Sequence, residues 1–176
     1  MFEPGKKTIF LDIDGVLATH IEFMKPRKKF HEKYDDAKQL RIPYPFNSGC
    51  VKILNSILEE TDTQIVLSSD WRHHWDLEEL DKIFKFNNLI KSPVAVTGNH
   101  PVSFGNLEKN RVNEIEKFRK SNDVGSFVIV DDLRMDIYLT TRFVRTKDSE
   151  GLKQTGIKTK ILKFLNDESK LEITGY

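Results

Sequence analysis

The chain has 176 residues, 38% of them apolar and 31% charged, an ordinary globular balance that suits one domain over residues 1–176 with a full core and a small insertion. The formal net charge of +1 excludes a whole-molecule field that would draw in nucleic acid or a membrane, so any such binding must come from a local patch. The single cysteine, Cys50, excludes an intramolecular disulfide and a Cys-rich zinc site, and no apolar run approaches the roughly 20 residues that span a bilayer.

The N-terminus lacks a cationic start leading into a long apolar run, so no signal peptide is read and a cytoplasmic location is expected. Residues 7–11 are short, apolar and β-prone, and read as a buried strand ending at Asp12. Residues 18–46 are polar, basic and aromatic, with Pro26, Pro43 and Pro45. They read as an irregular flap or cap inserted after the first strand, with one helical stretch near residues 28–40. Asn47 or Ser48 is placed to cap a helix whose apolar positions Val51, Ile53, Leu54, Ile57 and Leu58 recur at helical spacing.

Residues 63–67 read as a second buried strand, and residues 76–86 as a helix with Leu77, Leu80, Ile83 and Phe84 on one face. A weak third strand is expected at 93–97, then an amphipathic helix at 107–120 carrying Val112, Ile115 and Phe118. Residues 126–130 form a strong fourth strand that runs into Asp131 and Asp132; a poorer fifth follows at 142–145, and a last helix at 156–166. Strands alternate with helices and are continuously apolar, as strands covered on both faces are. The expected fold is therefore α/β: a three-layer sandwich around a mostly parallel, doubly wound sheet.

Ligands of such sheets bind beyond the carboxyl ends of the strands. The polar residues there are Asp12 and Asp14, Ser68 and Ser69, and Asp131 and Asp132. Residues two apart in extended chain point to the same side, about 6–7 Å from one another, and Gly15 permits a tight turn close to a ligand. Neighbouring carboxylates repel, so their pKa values split: one stays ionised and attacks, the other holds a proton for a leaving group. So many carboxylates call for a bound cation, and hard oxygen donors favour Mg²⁺ over zinc or copper. A carboxylate nucleophile gives an aspartyl-phosphate. Ser68 is suited to hold a phosphoryl oxygen. Arg111 is the first candidate for the cation that meets the growing equatorial charge, and Lys109 the second.

Asp12-Ile-Asp14-Gly15-Val-Leu17 resembles the first motif of haloacid dehalogenase (HAD) superfamily phosphatases. Ile65-Val-Leu-Ser68 looks like their second motif, Arg111 or Lys109 the third, and Val128-Ile-Val-Asp131-Asp132 the fourth in its paired form. The resemblance implies a sheet order of 5-4-1-2-3, Asp12 as nucleophile and Asp14 as general acid/base. It also implies metal ligation by the Asp12 side chain, the Asp14 backbone carbonyl and the fourth-motif acids, with Asp132 the closer and Asp131 beside it. Leu67-Ser-Ser-Asp-Trp71-Arg72, followed by Arg111-Val-Asn-Glu-Ile115, is similar to the small HAD domains of RNA-repair proteins and to the phosphatase half of polynucleotide kinase-phosphatases. With only a small cap, an open site able to admit an RNA or DNA end is expected.

Other residues carry milder expectations. Arg72, just past the second strand, is suited to bind a substrate phosphate, with an ion pair to Asp70 or Asp76 as its alternative. Trp71 and Trp75 read as packing residues, His73 and His74 as exposed helix-start residues, and Cys50 as core. The run Lys25-Pro-Arg-Lys-Lys-Phe30 is the basic cluster nearest the expected mouth; it reads as a solvated loop or a track for a phosphodiester backbone. Two rivals remain for the whole. One keeps the phosphatase chemistry but gives it a small phosphorylated metabolite; the other is a non-catalytic regulatory or binding domain on the same scaffold.

Overall fold

The computed structural model describes residues 1–98, 106–139 and 141–167. The last nine residues of the single domain expected over 1–176 lie outside the described residues.

Strand β1 (Thr8–Leu11) is central. It pairs in parallel with β2 (Gln64–Leu67) on one side and β4 (Phe127–Asp131) on the other; β3 (Ala95–Val96) and β5 (Phe143–Arg145) form the edges. The order β3-β2-β1-β4-β5 is the one the resemblance implies, and all four pairings are parallel. The period of two divides the strands between two cores. Ile9, Leu11, Ile65, Leu67, Val128 and Val130 enter one cluster, while Phe10, Val66, Phe127 and Ile129 enter the other.

Helices complete three layers. On the first face lie α4 (Ser48–Thr61), α5 (Leu77–Phe86) and α7 (Ile157–Asn166), burying Leu54, Ile57, Ile83 and Ile161. On the second lies α6 (Leu107–Ser121), which applies Val112 and Ile115. Asn47 caps α4, its side chain accepting the Gly49 and Cys50 N–H groups, and Asp76 caps α5 by accepting from Glu79. Burial of a Leu or Ile side chain is worth about 1.5–3 kcal/mol, so these stripes rather than helix propensity hold the layers together.

The insertion differs from expectation in detail. It carries three short helices: α1 (His20–Phe23), α2 (Arg27–Lys33) and α3 (Asp35–Gln39). The expected single helix over 28–40 is broken because Tyr34 is extended (φ −134°, ψ 101°), its ring packed edge-on against Phe86 at 5.7 Å. Phe30, Ala37, Ile42 and Phe46 anchor the insertion in the first core, so it is a packed cap rather than a loose loop. Among the described residues no helix is long and apolar enough to cross a membrane.

Candidate active site

The sheet register builds the site. Leu11 pairs with Leu67 and Val130, so one step further on the three chains present Asp12, Ser68 and Asp131 in one row. Beyond Asp12 the chain turns tightly: the N–H groups of Val16, Leu17 and Ala18 all converge on the carbonyl of Ile13 (3.2, 2.8 and 2.9 Å). Gly15 makes this possible with φ +71° in the left-handed region. Thr146, just past β5, fixes the turn by donating its hydroxyl to the Gly15 carbonyl at 2.8 Å.

Asp12, Asp131 and Asp132 gather with carboxylate oxygens within 4.8 Å of one another. Arg111 reaches them from α6: its Nη1 lies 2.9 Å from Asp131 and 3.3 Å from Asp12, and its Nη2 lies 2.9 Å from Asp70. Arg111 is buried, so this ion pairing is poorly screened. Three clustered carboxylates against one guanidinium leave a charge deficit that a divalent cation matches, and their oxygens are the hard donors Mg²⁺ prefers. Burial, then the neighbouring Asp12 charge, pushes Asp131 up to about 8 and Asp132 up to about 6. Asp12 is also raised by burial, against the pull of Arg111 and a hydrogen bond from Ser69.

Asp14 stands apart from that trio. It accepts the Tyr44 hydroxyl at 2.7 Å and the Trp71 indole N–H at 3.1 and 3.2 Å. Burial raises its pKa, partly opposed by the Tyr44 hydrogen bond and reinforced by the Asp12 charge. The two aspartates of one strand end therefore occupy different surroundings: Asp12 faces a guanidinium, Asp14 a phenol and an indole. That asymmetry is what a nucleophile and a proton carrier need.

The remaining expected residues divide. Ser68 is fully buried and its Oγ has no hydrogen-bond partner among the described residues, a cost of about 1–3 kcal/mol that an arriving oxygen would relieve. Ser69 bonds Asp12 and accepts the Trp71 N–H at 3.5 Å. Lys109 is exposed on α6 and joins none of these contacts, so of the two candidate cations the structure brings Arg111 to the centre. Arg72 meets the second of its two expectations, with further partners the sequence did not suggest. Its side chain turns inward, donating Nη1 to the Ser68 and Ser69 carbonyls (2.5 and 2.8 Å) and pairing Nη2 with buried Glu114 at 2.5 Å. Only its longer contact with Asp70, 3.4 Å, matches the ion pair expected. Arg72 thus ties the loop after β2 to α6.

A cavity of about 430 Å³ opens beside Asp14, bounded by Tyr44, Trp71, Trp75, His74, Arg27 and Arg41. The basic run Lys25–Phe30 splits around α2. Arg27 faces this cavity, whereas Lys25 and Lys29 face a separate cleft with Lys33 and Lys52. Tyr44, Asp70 and Glu114 were not picked out as site residues from the sequence. Tyr44 sits between Pro43 and Pro45, a stiff bracket that signals a fixed side chain, and Glu114 lies one turn after Arg111 on the same helix face.

Gly15 lies against the carboxylates that could hold a metal ion. A methyl group there would overlap the Asp132 carboxylate, and the left-handed backbone adds about 1–2 kcal/mol of strain. Gly15→Ala is expected to weaken Mg²⁺ binding roughly tenfold or more in a calorimetric titration. Gly98→Ala, whose methyl meets nothing within 4 Å among the described residues, should leave it unchanged.

A family model described as "HAD domain in Swiss Army Knife RNA repair proteins" matches residues 8–157. No curated protein and no solved structure matches the chain.

Proposed function

The chain belongs to the family of HAD domains found in Swiss Army Knife RNA repair proteins, and from that footing we propose that it is a Mg²⁺-dependent phosphatase that removes a phosphate monoester from a polynucleotide end through an aspartyl-phosphate. The observation that carries this reading is the separation of Asp14, held by Tyr44 and Trp71, from the Asp12–Asp131–Asp132 trio.

In the first step an Asp12 oxygen attacks phosphorus and the bond from phosphorus to the substrate oxygen breaks. Asp14 gives that oxygen its proton, so the substrate leaves as an alcohol. In the second step Asp14 takes a proton from water, the water oxygen attacks phosphorus, and the bond to Asp12 breaks to release inorganic phosphate. Arg111 and the Ser68 hydroxyl meet the equatorial charge. Ser69 and Arg72 hold the Asp12 carboxylate and the loop after β2 in place. Mg²⁺, held by Asp12, Asp132 and the Asp14 carbonyl with Asp131 beside them, would neutralise carboxylate and phosphoryl charge.

The test compares phosphate release from a 3′-phosphorylated oligonucleotide with release from a panel of small phosphorylated metabolites. Release is expected to need Mg²⁺, to stop with EDTA, and to favour the oligonucleotide with a steep fall as salt rises. A metabolite turned over faster, with little salt dependence, would overturn the polymer assignment and keep the chemistry. No release from any ester would leave a non-catalytic domain.

A further inference from the structure

We infer that the cavity beside Asp14 is the leaving-group subsite, and that it takes the terminal nucleoside of a single strand: the base against the Tyr44–Trp71–Trp75 wall, the following phosphodiesters on Arg27 and Arg41. This rests on the phosphatase reading above for the identity of the leaving group, but the cavity's chemistry argues for its occupant independently.

Asp14 protonates the departing oxygen, so the group bearing that oxygen must lie on the Asp14 side of the site, where the cavity of about 430 Å³ opens. That volume falls within the range of small-molecule sites. Its wall is aromatic: Trp71 and Trp75 rings lie 4.7 Å apart at 31°, and Tyr44 meets Trp71 at 5.9 Å. Their polar tips are already engaged. Tyr44 Oη and Trp71 Nε1 donate to Asp14, and Trp75 Nε1 donates to the Leu40 carbonyl at 2.8 Å. The ring surface open to a ligand comes from half-buried Tyr44 and Trp75, with Trp71 buried beside them. That suits a flat base of any identity, which stacks on ring faces without needing their donors.

The two arginines supply the polymer contact. Among the described residues Arg27 donates to the Arg41 carbonyl at 3.3 Å and pairs with no carboxylate. Arg41 is 63% exposed and shares Glu79 at 3.1 Å, a weak surface pair. Arg41 also occupies the left-handed position after α3, with φ +58°, where glycine would be easier. A long cation on a backbone that disfavours it points to use of its side chain.

Trp71 and Trp75 are the chain's two tryptophans and both line the cavity, so their emission reports its occupancy without catalysis. An unphosphorylated single-stranded trinucleotide, titrated into the full chain without metal and excited at long wavelength, should quench that emission saturably. Its two phosphates give an expected slope of log affinity against log salt near −1.4. Arg27→Ala with Arg41→Gly should weaken binding roughly tenfold or more and flatten the slope. Arg41→Gly alone should keep or raise the melting temperature, which separates lost binding from lost fold. Lys29→Ala with Lys33→Ala, in the separate cleft, should leave the quenching unchanged. No saturable quenching, or quenching indifferent to the arginines, overturns the subsite. So does a cavity that responds only to a small sugar phosphate. Quenching without Mg²⁺-dependent release from any phosphorylated oligonucleotide overturns the phosphatase reading and keeps the cavity as a single-strand binding site; release without quenching does the reverse.

Discussion

Asp12→Asn is expected to lower Mg²⁺-dependent phosphate release by roughly a thousandfold or more while leaving the protein at least as stable without metal. A neutral amide is a poor nucleophile toward phosphorus, and it also removes one oxygen ligand from the trio. Stability moves the other way because the folded protein gathers three carboxylates around Arg111, and burial raises all of them. Removing one like charge relieves repulsion at nearly constant volume. Thermal unfolding of both proteins in EDTA, beside their turnover in Mg²⁺, checks the two halves together. A variant that loses activity by unfolding would not support a nucleophile.

Arg111→Met should carry the largest cost to stability, about 3–5 kcal/mol without metal at pH 8.5, because it strands buried, ionised carboxylates whose charges lose their partner. Lys109→Ala, exposed on the same helix, should cost well under 1 kcal/mol. pH sharpens the contrast. Asp131 and Asp132 hold protons in the folded state up to about 8 and about 6, above their ordinary value of 3.8. The folded state therefore binds more protons than the unfolded one in that window, and metal-free stability falls as pH rises from about 4 through 6 and 8. The fall should be steeper in Arg111→Met, where ionised carboxylates face no cation, and Mg²⁺ should offset it in both proteins. Denaturant midpoints at pH 5 and pH 8.5, with and without Mg²⁺, measure this. Equal penalties for Arg111 and Lys109 would remove Arg111 from the centre.

The acidic half of the site was legible because it depends on local chain. Asp12, Asp14, Asp131 and Asp132 follow apolar runs that can only be buried strands, and a parallel sheet sends all such ends to one edge. Arg111 was legible through its order on the helix before β4. Of the two expectations for Arg72 the sequence could not choose, because it places a residue after a strand without saying which way its side chain turns. The inward turn is set by the short helical turn Asp70–His73 and by Glu114, 42 positions away. Tyr44 was missed for the same reason: it lies 30 residues from Asp14, and only the packing of Phe30, Ile42 and Phe46 into the core brings its hydroxyl to that carboxylate. The break at Tyr34 follows ring packing, which helical periodicity does not encode. Helix α1, by contrast, had a readable signal, since Thr19 and Glu22 form a capping box at the required spacing.

In the proposed mechanism Asp12 becomes covalently phosphorylated. Wild-type protein mixed with Mg²⁺ and a ³²P-labelled phosphate ester, quenched in acid during turnover and digested, measures this directly. The expected result is a hydroxylamine-labile label on the peptide that contains Asp12, absent from Asp12→Asn. Turnover at the wild-type rate by Asp12→Asn, or a label on any other residue, would contradict it.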